Sequence, residues 1–142
     1  MVRVTRVLAT GVFDILHLGH LHYLTESKKL GDELIVVVAR DSVAERMKRL
    51  PLIPENIRVR MVEALKPVDK AILGLEGNIY DILPIVKPDI VTLGYDQDFD
   101  SEEIIREAKK RGVDVKVVRI SQYSETEFNG TRKILNYIKA RS

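Results

Sequence analysis

The chain has 142 residues, a formal net charge of +2 and no cysteine. This length suits one domain spanning residues 1–142 with a sizeable buried core, and the balanced charge argues against a dedicated nucleic-acid binder. The lack of cysteine excludes disulfides and thiolate metal sites. Because no apolar run approaches membrane-spanning length and no secretory leader pattern is visible, we expect a cytoplasmic protein without a membrane partner.

Strand and helix signals alternate along the chain, which is typical of a parallel sheet covered by helices. Apolar runs and turn residues predict strands over about 3–9, 34–39, 70–73, 90–93 and 113–117. Helices are predicted over about 19–30, 41–49, 54–66, 79–86, 101–111 and 128–140. The second strand is apolar throughout and should be internal, whereas the alternating fifth strand should lie at an edge.

These elements predict an α/β fold, a Rossmann-like doubly wound five-stranded parallel sheet in a single domain. Right-handed crossovers favour the strand order 3-2-1-4-5. Ligands bind in such sheets at the carboxyl ends of the strands, where the strand order reverses. That switch point would place residues 11–20 beside Gly94, Tyr95 and Asp96, although the two segments are far apart in sequence.

The segment GVFDILHLGH at residues 11–20 follows the first predicted strand and leads into a helix. A helix N-terminus at that point attracts phosphate through its free N–H groups and its dipole. His17 and His20 lie one turn apart, so both can face one ligand, and imidazoles can carry positive charge or donate hydrogen bonds to phosphate oxygens. A lone histidine at a helix start is usually a cap or a surface residue; two histidines with Gly19 between them and Asp14 upstream point to a site.

This segment resembles the HxGH signature of the cytidylyltransferase-like nucleotidyltransferases. These enzymes transfer a nucleoside monophosphate from CTP or ATP to a phosphorylated acceptor and release pyrophosphate. Further segments at residues 31–41, 52–55, 62–74 and 87–90 resemble the archaeal FAD synthases, which adenylylate FMN with ATP. The resemblance implies ATP, in preference to CTP, and FMN as substrates. Glycerol-3-phosphate cytidylyltransferase, a phosphopantetheine adenylyltransferase-like enzyme and a non-catalytic nucleotide-binding regulatory module remain alternatives.

The resemblance also implies roles for individual residues. The predicted catalytic residues are His17, His20 and Lys48. Arg58, with Arg60 as the alternative, would hold phosphate from the helix after Pro54, although each basic residue could instead belong to a solvated helix face. The chain departs from the family pattern at Asn129-Gly130-Thr131, where two or three hydroxyl residues are usual. The predicted nucleotide-binding residues are Gly11, Val12, Phe13, Asp14, His17, His20, Arg58, Gly94, Asp96, Arg119, Asn129 and Thr131.

Three further expectations concern the partners of this site. Tyr95 and Tyr123 are the predicted ring contacts of the acceptor, with Phe128 a weaker candidate. A divalent ion, Mg²⁺ by preference, would be held mainly by the ATP phosphates, with Asp14 as the one protein ligand considered. A homodimer is expected because Leu16, Leu18 and residues 50–53 place apolar side chains around the site.

Overall fold

The computed structural model describes residues 3–47, 50–123 and 130–141. The strands are β1 (Arg6–Gly11), β2 (Glu33–Val38), β3 (Lys70–Leu73), β4 (Ile90–Leu93) and β5 (Lys116–Arg119). The helices are α1 (Leu18–Lys28), α2 (Asp41–Arg46), α3 (Glu55–Glu63), α4 (Leu83–Val86), α5 (Ser101–Lys110) and α6 (Thr131–Arg141). A 3₁₀ turn, Ile79–Ile82, precedes α4.

The five strands form one parallel sheet in the order β3-β2-β1-β4-β5. The predicted fold and strand order are therefore confirmed. The first strand lies at the centre, with β2 on one side and β4 on the other. In the described part of the chain, no helix is long and apolar enough to cross a bilayer.

The apolar residues of the sheet divide between two core clusters. One cluster contains Leu34, Val36 and Val38 of β2 together with Leu24 of α1 and Val62 of α3. The other contains the alternate β2 residues Ile35 and Val37 together with residues of α4 and α5. Because successive residues of β2 enter opposite clusters, the strand is buried on both faces, as its unbroken apolar sequence predicts.

Several predicted bounds differ from the observed ones, and two of these differences have an identifiable cause. The fifth strand lies at the predicted edge but begins at Lys116, because Gly112 turns the chain at φ 77° and Val113 donates its N–H back to the carbonyl of Ala108. Val113 is therefore still hydrogen-bonded to the last turn of α5 rather than to the sheet. The helix predicted over 79–86 is divided at Leu83, since Pro84 has no N–H with which to continue the first turn.

Candidate active site at the end of the central strand

The end of β1 opens a crevice in the sheet. On one side, β1 stays paired with β2 as far as Gly11 and Val38. On the other side, its pairing with β4 stops at Ala9 and Thr92. This is the switch point that the strand order predicts, and it brings the turn after β1 next to the loop after β4.

The two histidines of the motif form a reciprocal cap at the start of α1. His17 is the N-cap, and its Nδ1 accepts the backbone N–H of His20 at 3.3 Å. The Nδ1 of His20 accepts the backbone N–H of His17 at 3.4 Å. The rings stack with their centroids 3.7 Å apart and an interplanar angle of 22°. Because both Nδ1 atoms accept, each neutral ring carries its proton on Nε2, and two N–H donors are available side by side.

Burial makes these donors neutral rather than cationic. Burial, with a smaller contribution from the positive charge that a protonated His17 would carry, lowers the pKa of His20 to about 3. The pKa of His17 is also lowered by burial, while the nearby carboxylate of Asp96 opposes this shift. Of the two roles that the sequence allows, hydrogen-bond donation rather than positive charge fits His20 at neutral pH, because a charged imidazole would lose its hydration there.

The side chain of Phe13 packs against the ring of His20. Its backbone adopts a left-handed conformation with φ 54°, which is uncommon for an aromatic residue. The buried ring lies 5.3 Å from the ring of His20, between centroids. A Cβ at Gly11 would come within 2.9 Å of that ring, so only glycine leaves room for it. Both residues were predicted to bind nucleotide; the structure assigns the Phe13 side chain to packing and leaves only its backbone for a ligand.

Asp14 and Arg58 tie a loop to the turn after β1. The Asp14 carboxylate accepts the N–H groups of Leu52 and Ile53, both at 2.9 Å. The Arg58 guanidinium is fully buried and donates to the carbonyls of Val12 at 2.6 Å and Ile53 at 2.8 Å. It also pairs with a carboxylate, that of Asp41 at 2.5 Å.

The position of Arg58 does not agree with the direct phosphate contact expected from the sequence. Helix α3 directs this side chain inward, whereas Arg60 on the same helix is exposed. The carbonyl of Val12, another predicted nucleotide-binding residue, is likewise engaged by Arg58. In this structure Arg58 shapes the site indirectly, by holding the turn after β1 at Val12 against the loop at Ile53.

The loop after β4 forms the opposite wall. Arg119 donates to the carbonyls of Gly94, Gln97 and Phe99, each at 2.9 Å. Asp96 is exposed in this loop and close enough to His17 to affect its pKa. The structure thus brings Asp96 to the histidines, while Arg119 fixes the loop through its carbonyl groups.

Gln97 is a residue that the sequence reasoning missed. Its Oε1 accepts the N–H of Gly94 at 2.7 Å, and its Nε2 donates to the carbonyl of Thr10 at 3.1 Å. The amide therefore connects the ends of β4 and β1. The only signal in the sequence was a side chain with both a donor and an acceptor directly after a strand, which is too common a pattern to single out.

The predicted acceptor contacts lie on the β4–β5 side of the site. Tyr95 is 46% exposed, and its hydroxyl accepts from the Nε2 of Gln122 at 3.1 Å. The ring of Tyr123 lies 5.4 Å from the ring of His22, between centroids. His22 also contacts the carbonyl of Ser121 at 3.1 Å, so α1 touches the segment that follows β5.

Four other predicted site residues have no described side chain. Lys48, Asn129 and Phe128 lie outside the described residues, and for Thr131 only the backbone at the start of α6 is described.

His17 and His20 also line an apolar pocket of about 400 Å³. Its lining residues are Leu16, His17, Leu18, His20, Leu21, Leu65 and Ile134.

Among residues 3–47, 50–123 and 130–141, no cluster of three or more His, Asp or Glu side chains is arranged to hold a metal ion. Both oxygens of Asp14 accept backbone N–H groups, which fixes the orientation of this carboxylate in the turn after β1.

Comparisons with known proteins agree with the motif and the fold. The cytidylyltransferase-like family model matches residues 8–136. The chain is 58% identical to a protein named FAD synthase from Aciduliprofundum boonei over 130 residues, which cover 92% of this chain and 87% of that protein. It is 60% identical to a protein named FAD synthase from Thermoplasma volcanium over 118 residues, which cover 83% of each chain.

A solved structure supports the same relationship. A crystal structure from Thermoplasma volcanium, described as a lipopolysaccharide core biosynthesis protein, superposes with a TM-score of 0.84 at 58% identity. The match covers 86% of this chain and 100% of that chain. With the HxGH histidines at the switch point of the predicted sheet, the chain belongs to the cytidylyltransferase-like family.

Proposed function

We propose that this chain is an adenylyltransferase that transfers AMP from ATP to FMN, giving FAD and pyrophosphate. The observation that carries this proposal is the 58% identity to a protein named FAD synthase over 92% of the chain. This similarity includes the segment that positions His17 and His20. Preference for ATP over CTP rests on the same likeness, since no base-reading residue is identified.

The reaction requires only one displacement at phosphorus. A phosphate oxygen of FMN attacks the α-phosphorus of ATP, the bond from that phosphorus to the bridging oxygen breaks, and pyrophosphate leaves from the opposite side. Negative charge builds up on the α-phosphoryl oxygens and the leaving group. Catalysis then depends on positioning and on hydrogen-bond donors aimed at these oxygens.

The Nε2–H groups of His17 and His20 are the proposed donors. Their reciprocal cap fixes both rings before substrate arrives, so little reorganisation is needed during the reaction. The start of α1 adds a partial positive charge at the same place. Lys48 is proposed as the cation that contacts the α-phosphate.

The nucleotide is proposed to lie between the turn after β1 and the loop after β4. Asp96 would face the ribose or the acceptor, and the N-terminus of α6 at Thr131, with Asn129 before it, would hold the outer phosphates. The residue types at the site suit Mg²⁺ that arrives with ATP, since Mg²⁺ is usually held by substrate phosphates and few protein ligands. The ion would neutralise the charge of the phosphates.

The acceptor ring is proposed to contact Tyr95 and Tyr123. Tyr95 lies in the loop that carries Asp96 and is well exposed, and Gln122, the neighbour of Tyr123 in the chain, donates to the Tyr95 hydroxyl. A second apolar surface is the 400 Å³ pocket beside the histidines. The pocket is therefore the alternative location if the tyrosines do not bind the ring.

We also propose a homodimer. Three leucines near the site are strongly exposed, with relative accessibilities of 46% for Leu18, 77% for Leu50 and 65% for Leu52. Exposed apolar side chains in one region favour association. Light scattering at micromolar concentration would give twice the 16.2 kDa chain mass for the dimer, and the mass of one chain would contradict it.

The activity test is a matrix of two nucleotides and three acceptors. ATP or CTP is incubated with FMN, glycerol 3-phosphate or phosphopantetheine, and pyrophosphate release and the adduct are measured. The proposal predicts FAD from ATP and FMN at the highest rate. Activity with CTP and glycerol 3-phosphate alone would reassign the substrates, whereas nucleotide binding without pyrophosphate release in any combination would favour the regulatory module.

A further inference from the structure

Two side chains form hydrogen bonds with the backbone of Thr10 at the point where the β1–β4 pairing ends. The next residue, Gly11, bonds towards β2, because its carbonyl accepts the N–H of Ala39 at 2.9 Å. Successive residues of a parallel strand bond to opposite neighbours, so Thr10 faces the β4 side. The pairing with β4 has already stopped there, at Ala9 and Thr92.

The hydroxyl of Tyr23 and the amide of Gln97 occupy that position. The N–H of Thr10 donates to the Tyr23 hydroxyl at 3.2 Å, and its carbonyl accepts from the Gln97 Nε2 at 3.1 Å. The Tyr23 hydroxyl donates in turn to the carbonyl of Thr92 at 2.9 Å. The Oε1 of Gln97 accepts the N–H of Gly94, directly after β4. Two side chains thus continue the contact between the strands beyond the last backbone pair.

We propose that Tyr23 and Gln97 are positioning residues that fix the width of the crevice between β1 and β4 and thereby align the catalytic turn. Neither residue is assigned a contact with substrate. The kinetic part of this proposal rests on the adenylyltransferase function proposed above.

The connection from Tyr23 to the catalytic histidines is direct. Tyr23 lies on α1, one turn after His20. Its ring stacks against Phe13 at 6.4 Å between centroids, and Phe13 in turn contacts the His20 ring at 5.3 Å. A shift of the Tyr23 hydroxyl would therefore move both the end of β1 and the support of His20.

The surroundings of Tyr23 favour one fixed position. The residue is only 8% exposed, and burial raises the pKa of its hydroxyl to about 12. The buried hydroxyls of Ser27 and Thr92 lie 2.8 Å apart, and Ser27 also donates to the backbone carbonyl of Tyr23 at 2.7 Å. Ser27 belongs to the same network but bonds to α1 and β4 rather than to β1, which makes it a matched control for lost stability.

The experiment compares Tyr23→Phe with Ser27→Ala in the full chain. Tyr23→Phe retains the ring and removes the bonds to Thr10 and Thr92. We expect its kcat for FAD formation to fall about tenfold or more with KM values within about twofold, since small misplacements of catalytic groups are costly. Ser27→Ala should lose stability while its kcat stays within about twofold of the wild type.

A second variant covers the case in which Tyr23→Phe does not fold. Gln97→Met removes both amide bonds at similar side-chain size, and the same fall in kcat without a rise in KM is expected. In the double variant the two effects should be less than multiplicative, since both residues hold the same peptide group. A raised KM for ATP with normal kcat in Gln97→Met would make Gln97 a binding residue and contradict its role here.

Two spectroscopic measurements do not depend on the reaction. In Tyr23→Phe, the amide hydrogen of Thr10 should exchange faster, and the imidazole signals of His20 should shift; neither change is expected in Ser27→Ala. A wild-type protein that makes no FAD would refute the proposed function but leave this comparison intact. Wild-type kcat in Tyr23→Phe, an equal loss in Ser27→Ala, or unchanged Thr10 exchange and His20 signals would overturn the positioning proposal.

Discussion

The Nδ1 of His17 lies 3.3 Å from the backbone nitrogen of His20, and the Nδ1 of His20 lies 3.4 Å from the backbone nitrogen of His17. Each histidine therefore caps the helix for the other. One consequence is a fixed tautomer with the proton on Nε2 in both neutral rings. A second is that replacing either residue disturbs the orientation of its partner.

The first prediction concerns the loss of each histidine. His17→Ala and His20→Ala should each lower kcat for FAD formation about a hundredfold or more, because each removes a donor to the transition state and a cap for the other ring. Nucleotide binding, measured by equilibrium titration, should weaken far less. His22→Ala is the matched control, since it removes an imidazole of the same helix that lies outside the reciprocal cap. Near-normal turnover in either of the first two variants would refute the role of that residue.

The second prediction concerns stability against pH. Burial lowers the pKa of His20 to about 3 in the folded chain, whereas an unfolded histidine titrates near 6.5. Between these values the unfolded chain binds more protons, so the free energy of unfolding falls as the pH falls below about 6.5. The loss should reach about 2 kcal/mol at about pH 5.

Denaturant unfolding of the wild type and of His20→Gln between about pH 7 and pH 5 measures this effect. The variant should lose the part of the pH dependence that comes from His20. Carboxylates with lowered pKa values, such as Asp69 and Asp89, act at lower pH and are present in both proteins. Parallel curves for the two proteins would mean that His20 is not held neutral by the fold.

The third prediction separates two roles for Arg58. Arg58→Met should lower the free energy of unfolding by about 2–3 kcal/mol, because it leaves the carbonyls of Val12 and Ile53 without their donor. Arg60→Met, an exposed change on the same helix, should have an effect within about 0.5 kcal/mol. A direct phosphate contact would show the opposite pattern, with a raised KM for ATP and normal stability in Arg58→Met.

The fourth prediction concerns the acceptor ring. Stacking on Tyr95 or Tyr123 should quench the fluorescence of FMN when the protein is titrated into it with a non-hydrolysable ATP analogue present. Tyr95→Leu and Tyr123→Leu should weaken this quenching, whereas Tyr80→Leu, in the 3₁₀ turn that packs near Glu107 and Arg111, should not. Full quenching in both site variants would indicate that the flavin ring binds instead in the pocket lined by Leu16 and Leu21.

The sequence predicted the fold because each strand carries its own signal. The unbroken apolar run of β2 predicted an internal strand, and the loop that follows β4 lies beside the turn after β1, as the strand order requires. The start of β5 was predicted too early because the alternation from Val113 cannot show that Gly112 turns the chain and keeps residue 113 bonded to α5.

The site was only partly predictable because residue type does not fix side-chain direction. A basic residue on the helix after Pro54 suggested a phosphate contact, but the inward face of α3 places Arg58 against the carbonyls of Val12 and Ile53. The carboxylate of Asp14 likewise accepts backbone N–H groups, those of Leu52 and Ile53. The reciprocal cap of the histidines depends on ring rotation, which spacing alone does not determine.

The central claim is that this chain transfers the α-phosphoryl group of ATP, with its adenosine, to FMN. The most direct measurement uses ATP labelled separately at the α- and γ-phosphorus, with FMN as acceptor and separation of the products. The α-label is expected in FAD and the γ-label in pyrophosphate, with the rate of FAD formation about a hundredfold or more lower in His17→Ala and in His20→Ala. A γ-label in the flavin product, or an α-label that never leaves ATP, would contradict it.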